Sequence, residues 1–279
     1  MNYIVAVSGG VDSVVLLDMM AKYRATNRII VAHFDHGIRK SSMDDARFVE
    51  GLAKSYHLPF QSRREELGEK ASEALARERR YIFLNELAKV HDAKIVTAHH
   101  QDDLIETIAI NMQRGTGWRG LSVFGSETIS RPLKTKRKSD LYNYALENKL
   151  EWVEDETNQS DIYLRNRLRK RLRKLDVKVF DSLLDLRNQQ IYLRSQIEIE
   201  SKKYRLNQSR YFFIMLPMSV ALELLRIQTN SLLTGPQLLE VLNGIKTARP
   251  GAKLSVGAGV IVQFTKTHFT FENTSQLLY

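Results

Sequence analysis

Six residues near the start of the chain, Ser8-Gly9-Gly10-Val11-Asp12-Ser13, limit what it can become more than any other stretch. They follow the short apolar run Tyr3 to Val7 and precede the helical pattern Val14 to Tyr23, so two glycines and two serines stand where a strand hands over to a helix. The first turn of a helix leaves backbone N–H groups without partners and carries partial positive charge, and glycine lets the chain approach an anion closely. A phosphate would bind at such a junction. The loop lacks the Gly-Lys-Ser/Thr ending of a Walker A motif, which removes the lysine that cradles β- and γ-phosphates and points to cleavage between the α- and β-phosphates instead.

The rest of the first half repeats the same pattern. Apolar runs at Ile29 to Phe34 and Ile95 to Ala98 read as further parallel strands, and helical patterns at Ser42 to Tyr56, Ser72 to Val90 and Asp103 to Met112 lie around them. Repeated strand–helix units predict an α/β fold with a doubly wound parallel sheet, whose ligands bind beyond the carboxyl ends of the strands. Three polar clusters fall at those ends: Ser8 to Ser13, Asp35 to Arg39, and His99 to Glu106. From about Phe180 the pattern changes to a helical stretch, two short apolar segments and a candidate helix Gly235 to Ile245. The alternation from Lys253 to Phe271 predicts a short β-hairpin. We expect a catalytic domain over residues 1–186 and a smaller, mainly helical C-terminal domain over 187–279.

Forty-two Lys and Arg against 32 Asp and Glu give a formal charge of +10, which favours a polyanionic partner, nucleic acid first. No apolar run is long enough to cross a bilayer and the N-terminus lacks the regions of a signal peptide, so a cytoplasmic protein with no membrane partner is expected. The chain has no cysteine. Thiolate nucleophiles, Cys-ligated zinc, iron–sulfur clusters and persulfide relays are thereby excluded from its own chemistry.

Several side chains stand where they could act. Asp35, behind a buried strand, and Asp12, in the glycine loop, are candidate ligands for Mg²⁺ on nucleotide phosphates, although either could instead cap the local backbone. If a helix begins near His99, then His99, Asp102 or Asp103, and Glu106 share one face that could bind a cation, whether a metal or an amine. Arg77, Arg79 and Arg80 lie in one helical stretch and could stabilise charge on phosphate, or else belong to a charged surface helix. Between Arg165 and Lys178 eight Lys or Arg accompany one Asp, with Arg165 and Arg169 on one helical face and Arg167 between them, a density suited to an RNA backbone.

Together these blocks resemble the N-type ATP pyrophosphatases of the PP-loop superfamily and, within them, the tRNA(Ile)-lysidine synthetases. The resemblance rests on the glycine loop, Asp35-His36-Gly37-Ile38-Arg39, Ala76 to Tyr81 and Ala98 to Thr107. It continues through Arg114-Gly115-Thr116-Gly117, Arg131-Pro132-Leu133, Asp155-Glu156-Thr157-Asn158 and Arg165 to Arg169. It implies an adenine nucleotide alpha-hydrolase-like fold, ATP and Mg²⁺ as cofactors, and free L-lysine and a tRNA(Ile) with a CAU anticodon as partners. The implied reaction adenylates the C2 carbonyl oxygen of the wobble cytidine, and the ε-amine of lysine then displaces AMP. On this resemblance Ser8, Gly9, Gly10, Val11, Asp12 and Ser13 hold pyrophosphate, Asp35 serves adenylation through Mg²⁺, and His99 lies near the adenylation centre. Asp103 and Glu106 grip the lysine α-ammonium, and Arg165, Arg167 and Arg169 approach the tRNA. The chain looks like a short form of that family, and its oligomeric state stays open, a homodimer included. Thiolation and glutamine-fed amide transfer, the rival chemistries of the superfamily, are disfavoured by the lack of cysteine, and a catalytically silent tRNA-binding protein is the alternative of another class.

Overall fold

A computed structural model of the protein describes residues 1–23, 28–37, 42–68, 71–125, 128–154, 164–172 and 175–272, with the side chains of 42, 73, 164–166 and 170 excepted. The described chain forms two compact units, Met1–Gln190 and Ile191–Tyr279.

In the first unit, five parallel strands lie in the order β3-β2-β1-β4-β5: β1 Asn2–Ala6, β2 Ile29–Asp35, β3 Phe60–Arg64, β4 Ala93–Val96 and β5 Ile129–Ser130. Helices α1 Val11–Tyr23, α2 Ser42–Ser55, α3 Glu73–Val90, α4 Gln101–Gln113 and α5 Lys138–Glu147 connect and cover them. The predicted doubly wound α/β sheet is the one observed. Strand residues alternate between the two faces, as the pleat requires. Val5, Val7 and Val31 pack with Leu16 and Leu17 of α1, Val49 of α2 and Leu141 of α5, whereas Ile4, Ala32 and Phe34 pack with Phe83 and Leu84 of α3. A third cluster joins Leu104, Ile105 and Ile108 of α4 to Leu172 of α6 (Leu164–Leu172) and Phe180 of α7 (Val177–Lys202).

β3 and β5 carry no apolar run, since Phe60–Arg64 is an outer strand with a largely exposed, polar sequence and β5 has only two residues. Periodicity therefore reveals the inner strands and not the edges. In the second unit, α8 Arg210–Met215, α9 Met218–Gln228 and α10 Gly235–Thr247 precede a small antiparallel sheet of β6 Lys253–Ser255, β7 Ile261–Phe264 and β8 Phe269–Glu272. The expected hairpin has gained a third strand. Arg210 is buried there, donating to the carbonyls of Ile245, Thr265 and Ala248 and so tying α8 to α10 and the turn after β7.

Candidate active site

The carboxyl ends of the parallel strands share one edge of the sheet, and the glycine loop follows the central strand β1 there. Gly9 adopts φ +94°, a conformation that costs other residues energy. The turn is locked from inside: the Ser13 hydroxyl donates to the Gly10 carbonyl (2.8 Å) and accepts from the Ser8 N–H (3.2 Å), while the Val153 N–H donates to the Gly9 carbonyl (3.0 Å). Ser8 remains exposed at the lip, and the start of α1 lies behind it.

Asp12 opens the first turn of α1. Its Oδ2 meets Lys138 Nζ at 3.1 Å and His100 Nε2 at 3.6 Å, while its buried Oδ1 has no hydrogen-bond partner among the described residues. Burial pushes this carboxyl up, and His100 and Lys138 more than offset it, so it titrates below the ordinary aspartate range. A buried carboxylate oxygen without a donor suits a cation arriving on phosphate.

His100 links this loop to the next element. It precedes α4 as the N-cap residue, its backbone N–H donating to Asp103 Oδ2 (3.1 Å), and its ring is only 3% exposed. Three carboxylates surround that ring: Asp12 at 3.6 Å, Asp102 at 3.6 Å and Asp103 at 3.5 Å. Burial alone would lower its pKa, but hydrogen bonding and attraction from these acids raise it to about 9, so the imidazole is cationic at neutral pH. Asp102 is held well below the usual range, its burial outweighed by His100, the Lys138 N–H (2.8 Å) and Arg137. The predicted helical face starts two residues later than His99, because α4 begins at Gln101. This turns His100 inward as the connecting residue. His99 instead hydrogen-bonds Thr97 (2.7 Å) and packs on the Phe124 ring (4.9 Å between centroids).

The remaining candidates fall into three places. Asp35 is buried at the end of β2, where it takes Arg64 of β3 (2.7 Å) and the Gly37 N–H (2.9 Å). Asp12 meets Lys138 and His100 whereas Asp35 takes Arg64, and no cluster of three or more His, Asp or Glu that could hold a metal occurs among the described residues. Glu106, 2% exposed on α4, is gripped by both ends of the Arg169 fork from α6, at 2.7 and 3.1 Å, so two residues assigned to different substrates are joined. Arg77 lies over the Tyr81 ring (4.9 Å), Arg79 pairs with Glu65 (2.6 Å), and Arg80 is half-buried on the same helix. Arg167 is exposed on α6. The Arg165 side chain, residues 38–39 and the Asp155 to Asn158 block lie outside what the structure describes.

Sequence reasoning missed Lys138, Arg137, Arg64 and His100 as site members. Only His100 carried a signal, since a polar residue three positions before Asp103 fits a helix cap.

Comparison with known proteins gives the relationships. tRNA(Ile)-lysidine synthase from Thermotoga maritima is 38% identical over 182 residues, 61% of this chain and 44% of the relative. The enzyme of that name from Exiguobacterium sibiricum is 39% identical over 175 residues, 61% of this chain and 42% of the relative. For the one from Enterococcus faecalis the figures are 34% over 210 residues, 70% of this chain and 46% of the relative. The chain thus spans less than half the length of each of these three. Among solved structures, the U34-tRNA thiolase NcsA of Methanococcus maripaludis with its 4Fe-4S cluster superposes with a TM-score of 0.57 at 16% identity, over 69% of this chain and 72% of that one. At that identity the likeness is one of fold, and this chain has no cysteine with which to ligate such a cluster. A profile of the PP-loop domain matches residues 1–175, from the first strand through the arginine-rich helix, and with more than half its length so matched the chain belongs to that family.

Proposed function

We propose that this chain ligates lysine to C2 of the wobble cytidine of an isoleucine tRNA with a CAU anticodon, at the expense of ATP. In the first step the cytidine O2 attacks the α-phosphorus of ATP and pyrophosphate leaves. In the second, the lysine ε-nitrogen attacks C2, the C2–O bond breaks, AMP departs with that oxygen, and the amine loses a proton. Activation is needed because a ring carbonyl oxygen is a poor leaving group and a phosphoryl-linked oxygen a good one.

The observation that carries this reading is the continuity of Asp12, His100 and Asp103, which joins a phosphate-binding loop to a helix whose acids hold cations. Ser8 to Ser13 would take the departing pyrophosphate through backbone N–H groups. The residues fit Mg²⁺ through Asp12, whose buried Oδ1 lacks a donor, with Asp35 as the second candidate; the ion would neutralise charge on the phosphates. Asp103 and Glu106 would receive the lysine α-ammonium, Glu106 exchanging the Arg169 guanidinium for it. Arg165 and Arg167 would contact the tRNA backbone, joined by Arg169 once the lysine has displaced it from Glu106. His99 lies beside the reacting centre, and Arg77 and Arg80 face charge developing on phosphate. Residues 1–186 form the catalytic domain in this reading and 187–279 an accessory tRNA-binding one, in a cytoplasmic enzyme.

The test is to incubate the protein with ATP, Mg²⁺, labelled lysine and unmodified tRNA(Ile), digest the RNA and locate the label. It is expected in a modified cytidine, and its absence there would reject the assignment. Asp103→Asn and Glu106→Gln are expected to raise the lysine requirement about tenfold or more while changing that for ATP much less. Equal effects on both substrates would remove these residues from the lysine site.

A further inference from the structure

Three guanidinium groups gather where β4 and β5 end, and none has a carboxylate partner among the described residues. Arg131 follows directly on β5, Arg77 comes from the first turns of α3, and Arg187 approaches from α7. Burial pulls the Arg131 pKa below the usual arginine value and the nearby Arg77 charge adds to this; Arg187 is lowered likewise by burial and then by Arg131. Tyr81 stands beside both Arg77 and Arg131. By contrast, the half-buried Arg169 has Glu106, and the buried Arg210 has three carbonyls. Arg131 has a long contact to the Ile129 carbonyl (3.4 Å) and the Tyr81 hydroxyl beside it, and its buried Nε has no partner among the described residues.

The surroundings hold this charge in place. Arg187, 9% exposed, donates two N–H groups to the Val123 carbonyl at 3.0 and 2.9 Å. The next residue, Phe124, adopts φ +55°, a left-handed conformation unusual for a bulky side chain, and its ring lies between His99 (4.9 Å) and the Arg131 guanidinium (4.6 Å). A clamped, strained backbone thus positions a ring under a cation that has no carboxylate partner and an unpaired Nε among the described residues.

Such a fork matches an oxyanion. Apart from the phosphates of ATP, two oxyanions enter the reaction proposed above: the phosphodiester beside the target cytidine and the α-carboxylate of lysine. The rings of Tyr81, Phe124 and His99 around the cations favour the first, because bases stack on aromatic and guanidinium planes. Resting on that reading, we infer that Arg77 and Arg131 form an oxyanion site that receives the tRNA backbone phosphate next to the target cytidine, with Phe124 and Tyr81 as flanking ring surfaces. Arg187 holds the Phe124 segment in register behind them.

The experiment measures binding of unmodified tRNA(Ile) to the full chain over a salt series, together with the lysine requirement of modification, for wild type, Arg131→Gln, Arg131→Lys and Arg77→Gln. Each glutamine variant is expected to lose about one unit of the slope of log affinity against log salt and to bind at least about fivefold more weakly at 0.1 M salt. Arg131→Lys should keep the slope, and the lysine requirement should stay unchanged in both Arg131 variants. Melting temperatures check folding; if Arg131→Gln does not fold, Arg77→Gln reads out the same slope. A slope that stays at the wild-type value with a raised lysine requirement would give the site to the amino-acid carboxylate and overturn the proposal, as would no change in either quantity. Wild-type protein that neither binds the tRNA nor incorporates lysine would instead overturn the parent reading.

Discussion

One imidazole, His100, lies among three carboxylates, so its positive charge governs whether the glycine loop and the start of α4 can stay together. Replacing it by glutamine would leave Asp12, Asp102 and Asp103 facing one another without a central cation. We expect His100→Gln to cost about 3 kcal/mol of stability in denaturant titrations, in the range found when one member of a buried ion pair is removed. A loss under about 0.5 kcal/mol would show that Lys138 and Arg137 suffice. At this scale the sequence was legible by residue type and less so by position. Asp12, Asp103 and Glu106 stand out by type, although a carboxylate at a helix start can equally serve the helix as a cap or first-turn acid. His99 and His100, adjacent and chemically identical, could not be separated, since the choice depends on where α4 begins, and periodicity locates a helix start only to within a residue or two. Lys138 and Arg64 gave no sign at all, because each reaches the site from an element that packs there only in three dimensions.

Helices meet across two buried acids, and each junction can be tested. Asp18 of α1 accepts the hydroxyls of Tyr56, just after α2, at 2.6 Å and Tyr144 of α5 at 2.7 Å, and pairs with Lys22 at 2.9 Å. Burial pushes Asp18 up and these partners more than offset it, so its folded pKa lies below the ordinary value of 3.8. The stability it supplies is present above that value and lost as pH falls through the depressed one. Tyr56→Phe and Tyr144→Phe are each expected to cost about 1–2 kcal/mol at neutral pH and to make the acid limb of the stability curve shallower; an unchanged limb would place the acid sensitivity elsewhere. The second junction is Glu106 of α4 with Arg169 of α6. Arg169→Ala should cost about 3 kcal/mol by stranding a buried charge, and adding Glu106→Gln should recover part of it in a double-mutant cycle. Strands and helices differ in how plainly they can be read. β1, β2 and β4 are inner strands covered on both faces and so are written as apolar runs, while β3 and β5 are held by backbone pairing at the sheet edges, where composition is free.

For the molecule as a whole, the excess of ten positive charges should appear as steep salt dependence. On the proposed function, binding of tRNA is expected to weaken about a hundredfold or more between 50 and 200 mM salt if four or more phosphates are contacted. A flat response would mean that recognition rests on base contacts instead. The architecture was accessible from sequence because each strand–helix unit is local, and the right-handed crossover leaves few ways to assemble such units. The three-stranded sheet at the end of the second unit was only half visible, since β6 has three residues and pairs with β7 across a short glycine-containing turn. One bond at the mouth has a consequence for how the chain tolerates changes in length. Leu150 is anchored by its N–H to the Ala145 carbonyl (2.9 Å), and three residues on, Val153 donates to the carbonyl of Gly9 (3.0 Å). That interval works as a ruler: inserting or deleting a single residue between Leu150 and Val153 would tug on the turn beneath the nucleotide as directly as an alteration of the glycines themselves.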